Sequence, residues 1–212
     1  MTVHLKKGIF VTFEGIDGSG KSTQVDSFRS LLTGRGIDFL QVREPGGTAI
    51  GEKIRSILLD RDNYGMTSEA ELLLYEAARS QNVKDVIRPA LEAGKVVICD
   101  RFYDSSVAYQ GYARGLDLES VEFLNRFATR GLEPDLTFLL DLPAHEASNR
   151  MNVRQETMDR LEAEGLDFME KVRAGYLEMA RRHPRIVKLD AMSPPTVLAE
   201  YIDRKFWEVV NT

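Results

Sequence analysis

The residues most clearly suited to chemistry occupy positions 15–22, in the sequence GIDGSGKS. They fit the pattern G-x-x-x-x-G-K-[ST], in which glycines let the backbone curl until its N–H groups point at phosphate oxygens. Lys21 is then expected to reach the β and γ phosphates of a nucleotide, and Ser22 to offer its hydroxyl to Mg²⁺. A helix predicted to begin near Lys21 directs its positive end at the same anion. The motif therefore predicts a nucleotide-phosphate site.

A phosphate loop does not say what happens to the phosphate, because GTPases, ATPase motors and small-molecule kinases all use one. A GTPase is expected to carry an N-K-x-D-type guanine-binding motif, which this sequence lacks, and the GTPase-like D-x-x-G spacing at 62–65 indicates only a turn. A kinase needs a second anion site for its acceptor. Asp100 and Arg101, after an apolar run, are candidates: the carboxylate can sit beside Mg²⁺ and its waters, and the arginine offers a bidentate fork to a phosphate.

Short apolar runs that alternate with amphipathic segments determine where these residues lie. The runs do not alternate cleanly between apolar and polar residues, as expected for strands buried on both faces. Strand and helix in repetition predict a parallel sheet covered on both sides, with ligands at the carboxyl ends of the strands. The predicted strands are Gly8–Phe13, Phe39–Arg43, Val96–Cys99, Leu136–Leu142 and Ile186–Leu189.

Two further segments have predicted structure. The segment 68–87 has the pattern of a helix, and its Ser68 and Glu71 have the spacing of a capping box. The polar segment 150–158 is predicted to lie exposed between two helices and to be able to move.

Composition limits the classes of protein. The 212 residues are 43% hydrophobic and 29% charged, which suits one globular domain. The net charge of -5 gives no basic surplus for nucleic acid or a membrane surface. No apolar run approaches the roughly 18 residues of a membrane span, and no signal peptide is expected at the start. A single cysteine, Cys99, forms no intrachain disulfide or zinc cluster, and a reducing, cytoplasmic compartment is expected.

Five segments together resemble thymidylate kinases of the bacterial type, over nearly the whole chain and in that family's order. The phosphate loop is generic, but REPGGT and D-R-x-x-x-S-x-x-A-Y-Q-G are far more specific. The segments are FEGIDGSGKST (13–23), REPGGT (43–48), LLLYEAARSQ (72–81), VVICDRFYDSSVAYQG (96–111) and DRLE (159–162).

The resemblance implies a fold and a reaction. The fold is the three-layer α/β P-loop NTPase fold of nucleoside monophosphate kinases, with a central parallel sheet, in a single domain (1–212) with a mobile lid at about 149–162. The reaction is ATP + dTMP → ADP + dTDP with Mg²⁺, carried out by a homodimer.

The resemblance also implies which residues bind the substrates. The residues at ATP are Gly15, Ile16, Asp17, Gly18, Ser19, Gly20, Lys21, Ser22, Thr23 and Arg150; those at dTMP are Asp17, Arg43, Tyr75, Arg79, Arg101, Ser106, Tyr109 and Gln110; Ser22 and Asp100 match the Mg²⁺ ligands. Lys21, Arg101, Arg154 and Asp17 form the implied catalytic set.

Specific roles at dTMP follow from the same resemblance. Tyr75 matches an aromatic residue that stacks on thymine, and Arg79 an arginine that hydrogen-bonds O4 of the base. Their spacing of four puts both on one side of a helix. Asp17 matches an acid at the sugar 3′-hydroxyl, and Tyr109 a tyrosine that disfavours ribonucleotides. Arg101 matches the arginine that binds the acceptor phosphate, to which Arg43 could also contribute; Ser106 and Gln110 match polar contacts to the base.

The origin of the catalytic arginine follows from the loop. Its variable positions, 16–19, hold no arginine, so the family pattern puts that residue in the lid. Arg154 is assigned to catalysis, Arg150 to the adenine end of ATP, and Arg160 to a pair within the lid.

Three alternatives stay open at this stage. The acceptor could be another nucleoside monophosphate or a deoxynucleoside. The chain could be a nucleotide-dependent switch or binding module, which would bind ATP or GTP without acceptor-dependent turnover. It could also be an inactive relative, although Lys21, Ser22, Asp100 and Arg101 are intact.

Overall fold

The computed structural model of the chain describes residues 7–154, 160–161 and 164–211, and of residues 152–154 it describes only the backbone. All five predicted strands are present, and their ends differ from the predicted ends by one residue at most. They are β1 Ile9–Glu14, β2 Phe39–Arg43, β3 Val96–Asp100, β4 Leu136–Asp141 and β5 Ile186–Asp190.

The strands form one sheet in the order β2-β3-β1-β4-β5, and all four pairings are parallel. This confirms the predicted sheet type. Both faces of the central strand are buried in apolar clusters: Val11 and Phe13 face one cluster with Phe138, and Phe10 faces a second cluster with Phe102. The double burial explains why the strand sequence reads as a continuous apolar run.

Helices cover both faces of the sheet. They are α1 Lys21–Gly34, α2 Ala49–Leu59, α3 Ser68–Asn82, α4 Arg88–Glu92, α5 Tyr103–Ser106, α6 Leu118–Thr129, α7 Ala144–Arg154, α8 Leu166–Arg182 and α9 Pro195–Val210. Within the described ranges, no helix is both long enough and apolar enough to cross a bilayer.

The start of α3 corrects the predicted capping box. The N-cap is Thr67, whose hydroxyl accepts a hydrogen bond from the Ala70 N–H at 3.2 Å, so the cap lies one residue earlier than Ser68. Glu71 is buried and bonded to Gln110 instead of turning back to the helix start. The regular α3 ends at Asn82, and a wider π-type turn, Val83–Ile87, joins it to α4.

The polar segment predicted at 150–158 is partly helical. α7 continues through Arg154, so the prediction that 150–154 lie between helices was wrong. Residues 155–158 lie outside the described part of the chain, and the lid at about 149–162 stays a prediction.

Candidate active site

The loop between β1 and α1 curls tightly around its own carbonyl groups. Gly15, Gly18 and Gly20 have positive φ angles of 137°, 79° and 96°. A Cβ at Gly15 would stand 2.6 Å from the Leu140 carbonyl oxygen, so glycine is required there. Lys21 Nζ donates to the Gly15 and Ile16 carbonyls at 3.0 and 3.1 Å. The Lys21 ammonium group therefore lies against the loop in which phosphate is expected to bind.

The hydroxyl groups of the loop differ in exposure. Ser22 and Thr23, in the first turn of α1, are exposed. Ser19 is buried, and its Oγ has no hydrogen-bond partner among the described residues. Ser22 is thus accessible to a metal ion at the helix start, and Ser19 has capacity for a ligand.

Asp17 of the loop joins the two halves of the site. Its Oδ1 accepts from Arg101 Nη2 at 2.7 Å and lies 3.6 Å from Lys21 Nζ. Burial alone would raise the pKa of Asp17, but the charges of Arg101 and Lys21 outweigh burial and hold the pKa well below its usual range. The carboxylate is therefore ionised and fixed between two cations.

The end of β3 brings Asp100 and Arg101 to this point. In the parallel ladder Asp100 is level with Phe13 of β1, and the Arg101 N–H donates to the Phe13 carbonyl at 3.0 Å. Arg101 has a positive φ of 67°, unusual for a residue with a side chain. Asp100 Oδ1 is buried without a hydrogen-bond partner in the described structure.

A pocket opens beside Arg101, between the loop after β2, α3 and the segment after β3. Seven of its lining residues were expected at dTMP: Asp17, Tyr75, Arg79, Arg101, Ser106, Tyr109 and Gln110. The others are Glu44, Pro45, Arg55, Leu59, Phe102, Ser105 and Leu161.

Arg79 is held at the pocket wall by a buried network. Its Nε donates to Glu44 Oε2 at 2.7 Å, and its Nη1 pairs with Glu76 and donates to Ser106 Oγ at 3.0 Å and Asn125 Oδ1 at 2.9 Å. Nη2 makes none of these bonds. Burial would lower the pKa of Arg79, but Glu76 and Glu44 outweigh it and raise the pKa. Arg79 is thus fully charged and fixed in one orientation.

Gln110 and Tyr109 border the same pocket from the π-type turn Val107–Ala113. Gln110 Nε2 donates to Glu71 Oε1 at 2.8 Å, which directs the amide. The Tyr109 ring lies 5.2 Å from the Arg101 guanidinium carbon, and its buried hydroxyl has no hydrogen-bond partner among the described residues. Burial raises the pKa of Tyr109, so the phenol is neutral.

Comparison with known proteins identifies the family. The family model "Thymidylate kinase" matches residues 13–202. The chain belongs to the thymidylate kinase family. It is therefore an ATP-dependent nucleoside monophosphate kinase whose reaction is the phosphorylation of dTMP to dTDP.

Similar proteins include the thymidylate kinase of Desulfovibrio desulfuricans, 52% identical over 88% of this chain and 89% of that protein. The thymidylate kinase of Kosmotoga olearia is 49% identical over 93% of this chain and 95% of that protein. A crystal structure of thymidylate kinase from Ehrlichia chaffeensis superposes with a TM-score of 0.76 at 32% identity, covering 94% of this chain and 99% of that chain. These matches agree with the P-loop kinase fold predicted from the sequence.

Arg43 does not line the acceptor pocket of this kinase. Its Nη2 pairs with Glu52 at 3.0 Å, and its Nη1 donates weakly to the Pro45 carbonyl at 3.4 Å. Arg55 of α2 lines the pocket instead and donates to the same carbonyl at 3.0 Å. The role of Arg43 at the acceptor phosphate stays a prediction.

The three arginines near the expected lid have different surroundings. Arg150 Nη2 donates to the Ala191 carbonyl at 3.0 Å, and its Nη1 approaches the Gly18 carbonyl at 3.5 Å, so it lies beside the phosphate loop. Arg160 pairs with Glu71 of α3 and donates to the Leu58 carbonyl of α2, both outside the expected lid. A pair within the lid stays a prediction, because most of the lid's side chains lie outside the described part of the chain. The side chain of Arg154 lies outside the described part of the structure.

Several site residues had no assignment from the sequence. Glu44 lies within REPGGT and Glu76 within LLLYEAARSQ, so the segments pointed to them but their charge gave no role. Ser105 and Tyr176 contact Arg101, and Glu14 contacts both of them. Tyr176 comes from α8, which carried no motif. Their contacts join residues 71 to 162 positions apart, which no local pattern encodes.

Proposed function

We propose that the chain transfers the γ-phosphoryl group of ATP to dTMP where Arg101 meets the phosphate loop. One observation carries this proposal: the Arg101 guanidinium bonds Asp17 of the loop and also lines the acceptor pocket. An arginine at that junction can hold the acceptor phosphate beside the γ-phosphate of ATP. The two negatively charged groups are then brought together by a cation that is already in position.

The acceptor end of the pocket supports thymine as the base. Tyr75 offers a ring for stacking, and Arg79, fixed by Glu44 and Glu76, offers a donor to a base carbonyl. Asp17 and Tyr109 line the same pocket, and we place the sugar beside them. We assign Asp17 to the 3′-hydroxyl, Tyr109 to the exclusion of a 2′-hydroxyl, and Ser106 and Gln110 to supporting polar contacts.

The residues at the strand ends fit a Mg²⁺ ion. Asp100 presents a buried carboxylate oxygen without a partner among the described residues, and Ser22 presents an exposed hydroxyl. Oxygen donors of this kind, in small number, suit Mg²⁺, which keeps several waters and binds substrate phosphates. When bound, the ion would neutralise charge that develops on the transferring phosphoryl group. Asp100 and Ser22 are the residues that would hold it.

Phosphoryl transfer by these residues depends on position and charge. Lys21 stabilises the γ-phosphate, Arg101 orients the acceptor, and no covalent intermediate or general base is needed. We assign the remaining catalytic charge to Arg154 and the adenine side of ATP to Arg150, which lies beside Gly18. Closure of a lid over 149–162 would exclude water and prevent hydrolysis of ATP.

We also propose that the chain is a homodimer, through a surface of α3 and α6. Leu73, Phe123 and Phe127 are 55%, 59% and 75% exposed, and the two phenylalanines stand one helical turn apart. Large apolar side chains clustered on neighbouring helices are typical of an interface. Light scattering should give a dimer mass for the wild type and a monomer mass for Phe127→Glu; a wild-type monomer at micromolar concentration contradicts this.

A cytoplasmic location is proposed because ATP and dTMP are found there.

The test of the activity is ADP release with Mg-ATP and a panel of acceptors: dTMP, dUMP, dCMP, UMP, AMP, thymidine and none. Turnover with dTMP is expected to exceed turnover with every other acceptor. Preference for another acceptor would overturn the roles of Tyr75, Arg79 and Tyr109. ADP release that does not depend on an acceptor would overturn the kinase reaction itself.

A further inference from the structure

Glu14 has no role in the chemistry above, yet it contacts two of the residues that surround Arg101. It is the last residue of β1 and is fully buried. Its Oε1 accepts from the Phe102 N–H at 2.7 Å, and its Oε2 lies 2.7 Å from Ser105 Oγ and 2.9 Å from the Tyr176 hydroxyl. An acid from β1, a serine from α5 and a tyrosine from α8 therefore meet at one point.

The three oxygens form a closed triangle, because Ser105 Oγ and the Tyr176 hydroxyl are also 2.7 Å apart. Each short oxygen–oxygen contact needs one proton to be a hydrogen bond. The two hydroxyls supply two protons, and a protonated Glu14 supplies the third. With three protons every edge is satisfied, and none of the protons needs to point outward.

Arg101 rests against two corners of this triangle. Its Nη1 lies 3.4 Å from Ser105 Oγ and 3.3 Å from the Tyr176 hydroxyl, while Nη2 donates to Asp17. Nη1 can approach both oxygens only if their protons point elsewhere and their lone pairs face the guanidinium. Glu14 directs the hydroxyl protons away from Arg101.

We propose that Glu14 is a positioning residue, which acts through the Ser105 and Tyr176 hydroxyls to hold the Nη1 side of Arg101 toward the acceptor phosphate. The inference rests on the role proposed for Arg101. It requires no contact between Glu14 and either substrate.

The surroundings of Glu14 favour its protonated form. Burial, then the charge of Asp104, raise the pKa of Glu14 to about 7, against a smaller opposing effect of Arg101 and of hydrogen bonds from Ser105 and Phe102. The titratable and charged groups that face Glu14 are Asp104, Arg101, Lys21, Tyr176 and Cys99. Near neutral pH a large fraction of the protein therefore carries the third proton.

The test compares dTMP with thymidine, which lacks the phosphate that Arg101 holds. Glu14→Gln adds a proton, because the Phe102 N–H fixes the amide oxygen and turns the NH₂ toward the hydroxyls; one proton is then forced toward Arg101. Tyr176→Phe removes one corner. For each variant we expect the Kd of dTMP to rise about tenfold, the scale of one hydrogen bond to a charged group. The Ki of thymidine should change by less than about twofold.

A matched control is Thr12→Val. Thr12 lies on the same strand, is fully buried, and shares a 2.7 Å hydroxyl contact with Thr137, but it does not touch Arg101. The Thr12→Val variant should be less stable than the wild type, while its affinities for dTMP and for thymidine stay unchanged. In the Glu14→Gln, Tyr176→Phe double variant the two losses should be less than additive, because both act through one triangle.

Three results would overturn the inference. Equal weakening of dTMP and thymidine would make Glu14 merely structural, and so would full additivity of the two substitutions. Unchanged dTMP affinity in both single variants, and in the milder Ser105→Ala, would remove the triangle from phosphate binding. Arg101→Ala separates this inference from the proposed function: if it leaves the preference for dTMP over thymidine unaltered, the role of Arg101 itself fails.

Discussion

The ATP side and the dTMP side of the site are built in different ways. On the ATP side, eight consecutive residues form the loop, and Lys21 bonds carbonyls only five and six positions away. On the dTMP side, Arg79 bonds residues 27, 35 and 46 positions away. The ATP side is formed mainly by the backbone of one loop. The dTMP side is a buried network of charged side chains that come from several helices and loops.

This difference has an energetic consequence. A buried charge is tolerated when its partners remain, and it destabilises the fold when one partner is removed. Substitutions on the dTMP side should therefore change stability and binding together. Substitutions on the ATP side should change the rate and leave stability nearly intact.

The largest effect is expected for Lys21→Ala. The turnover number should fall by roughly 10²–10³, because a positioned cation at the transferring phosphoryl group is lost. The affinity for dTMP and the free energy of unfolding should change little, since Asp17 keeps its bond to Arg101. Steady-state kinetics measure the turnover number, titration with dTMP measures the affinity, and urea unfolding measures the free energy of unfolding; exposed Lys171→Ala is the control. A loss of turnover below tenfold would contradict the ATP-side assignment.

Removing Arg79 is expected to act on stability as well as binding. Arg79→Met leaves Glu44 and Glu76 buried without their cation, so the free energy of unfolding should fall by about 3–5 kcal/mol. Restoring neutrality with Glu44→Gln and Glu76→Gln in the same chain should recover much of the stability but not the dTMP affinity. Urea unfolding and calorimetry test this. If the triple variant recovered dTMP affinity as well as stability, Arg79 would have a structural role only and no role in binding dTMP.

The pH dependence of stability should expose Glu14. Its pKa is raised in the fold from 4.5 to about 7, so the folded state binds more protons than the unfolded state between these values. The stabilisation is then complete below about pH 4.5, is lost as pH rises toward 7, and is absent above it. The change amounts to about 3 kcal/mol. Unfolding of wild type and Glu14→Gln at pH 4 to 8 should give a stability difference that shifts by this amount. A constant difference would show that Glu14 does not titrate there.

Arg154→Ala tests the ATP side of the site in a segment that the structure describes only in part. The turnover number should fall at least tenfold, as expected when a charge near the phosphoryl group is removed. The KM for dTMP should change little. Arg150→Ala, beside Gly18, should instead raise the KM for ATP. If the turnover number of Arg154→Ala equals that of wild type, Arg154 has no catalytic role.

The smallest effect distinguishes two arginines near Pro45. Arg55 lines the acceptor pocket, and the guanidinium of Arg43 pairs with Glu52. Arg55→Ala should raise the KM for dTMP severalfold, by about the free energy of one partly exposed charge contact. Arg43→Ala should have less effect. The reverse order would favour Arg43 over Arg55 at the acceptor phosphate.

Much of the fold followed from local patterns, because a strand buried on both faces must be apolar along its length. The five strands and their parallel pairing were predicted on that basis. Predictions of finer detail were wrong where a contact between distant residues replaced the expected local contact. Glu71 had the spacing to cap α3, but it lies buried against Gln110, Arg114 and Arg160, and Thr67 caps the helix instead.

The sequence by itself determined the phosphate loop, the strand ends that carry Asp100 and Arg101, and the membership of a kinase family. Each of these can be recognised from contiguous residues. The glycines set the geometry of the loop, and the apolar runs set where the strands end. Only the tertiary structure decided the sheet order, the choice of Arg55 over Arg43 as a pocket residue, and the network that fixes Arg79. It also brought Glu14, Ser105 and Tyr176 into contact. Buried polar groups select their partners by proximity in the folded chain, and that proximity depends on the packing of whole elements.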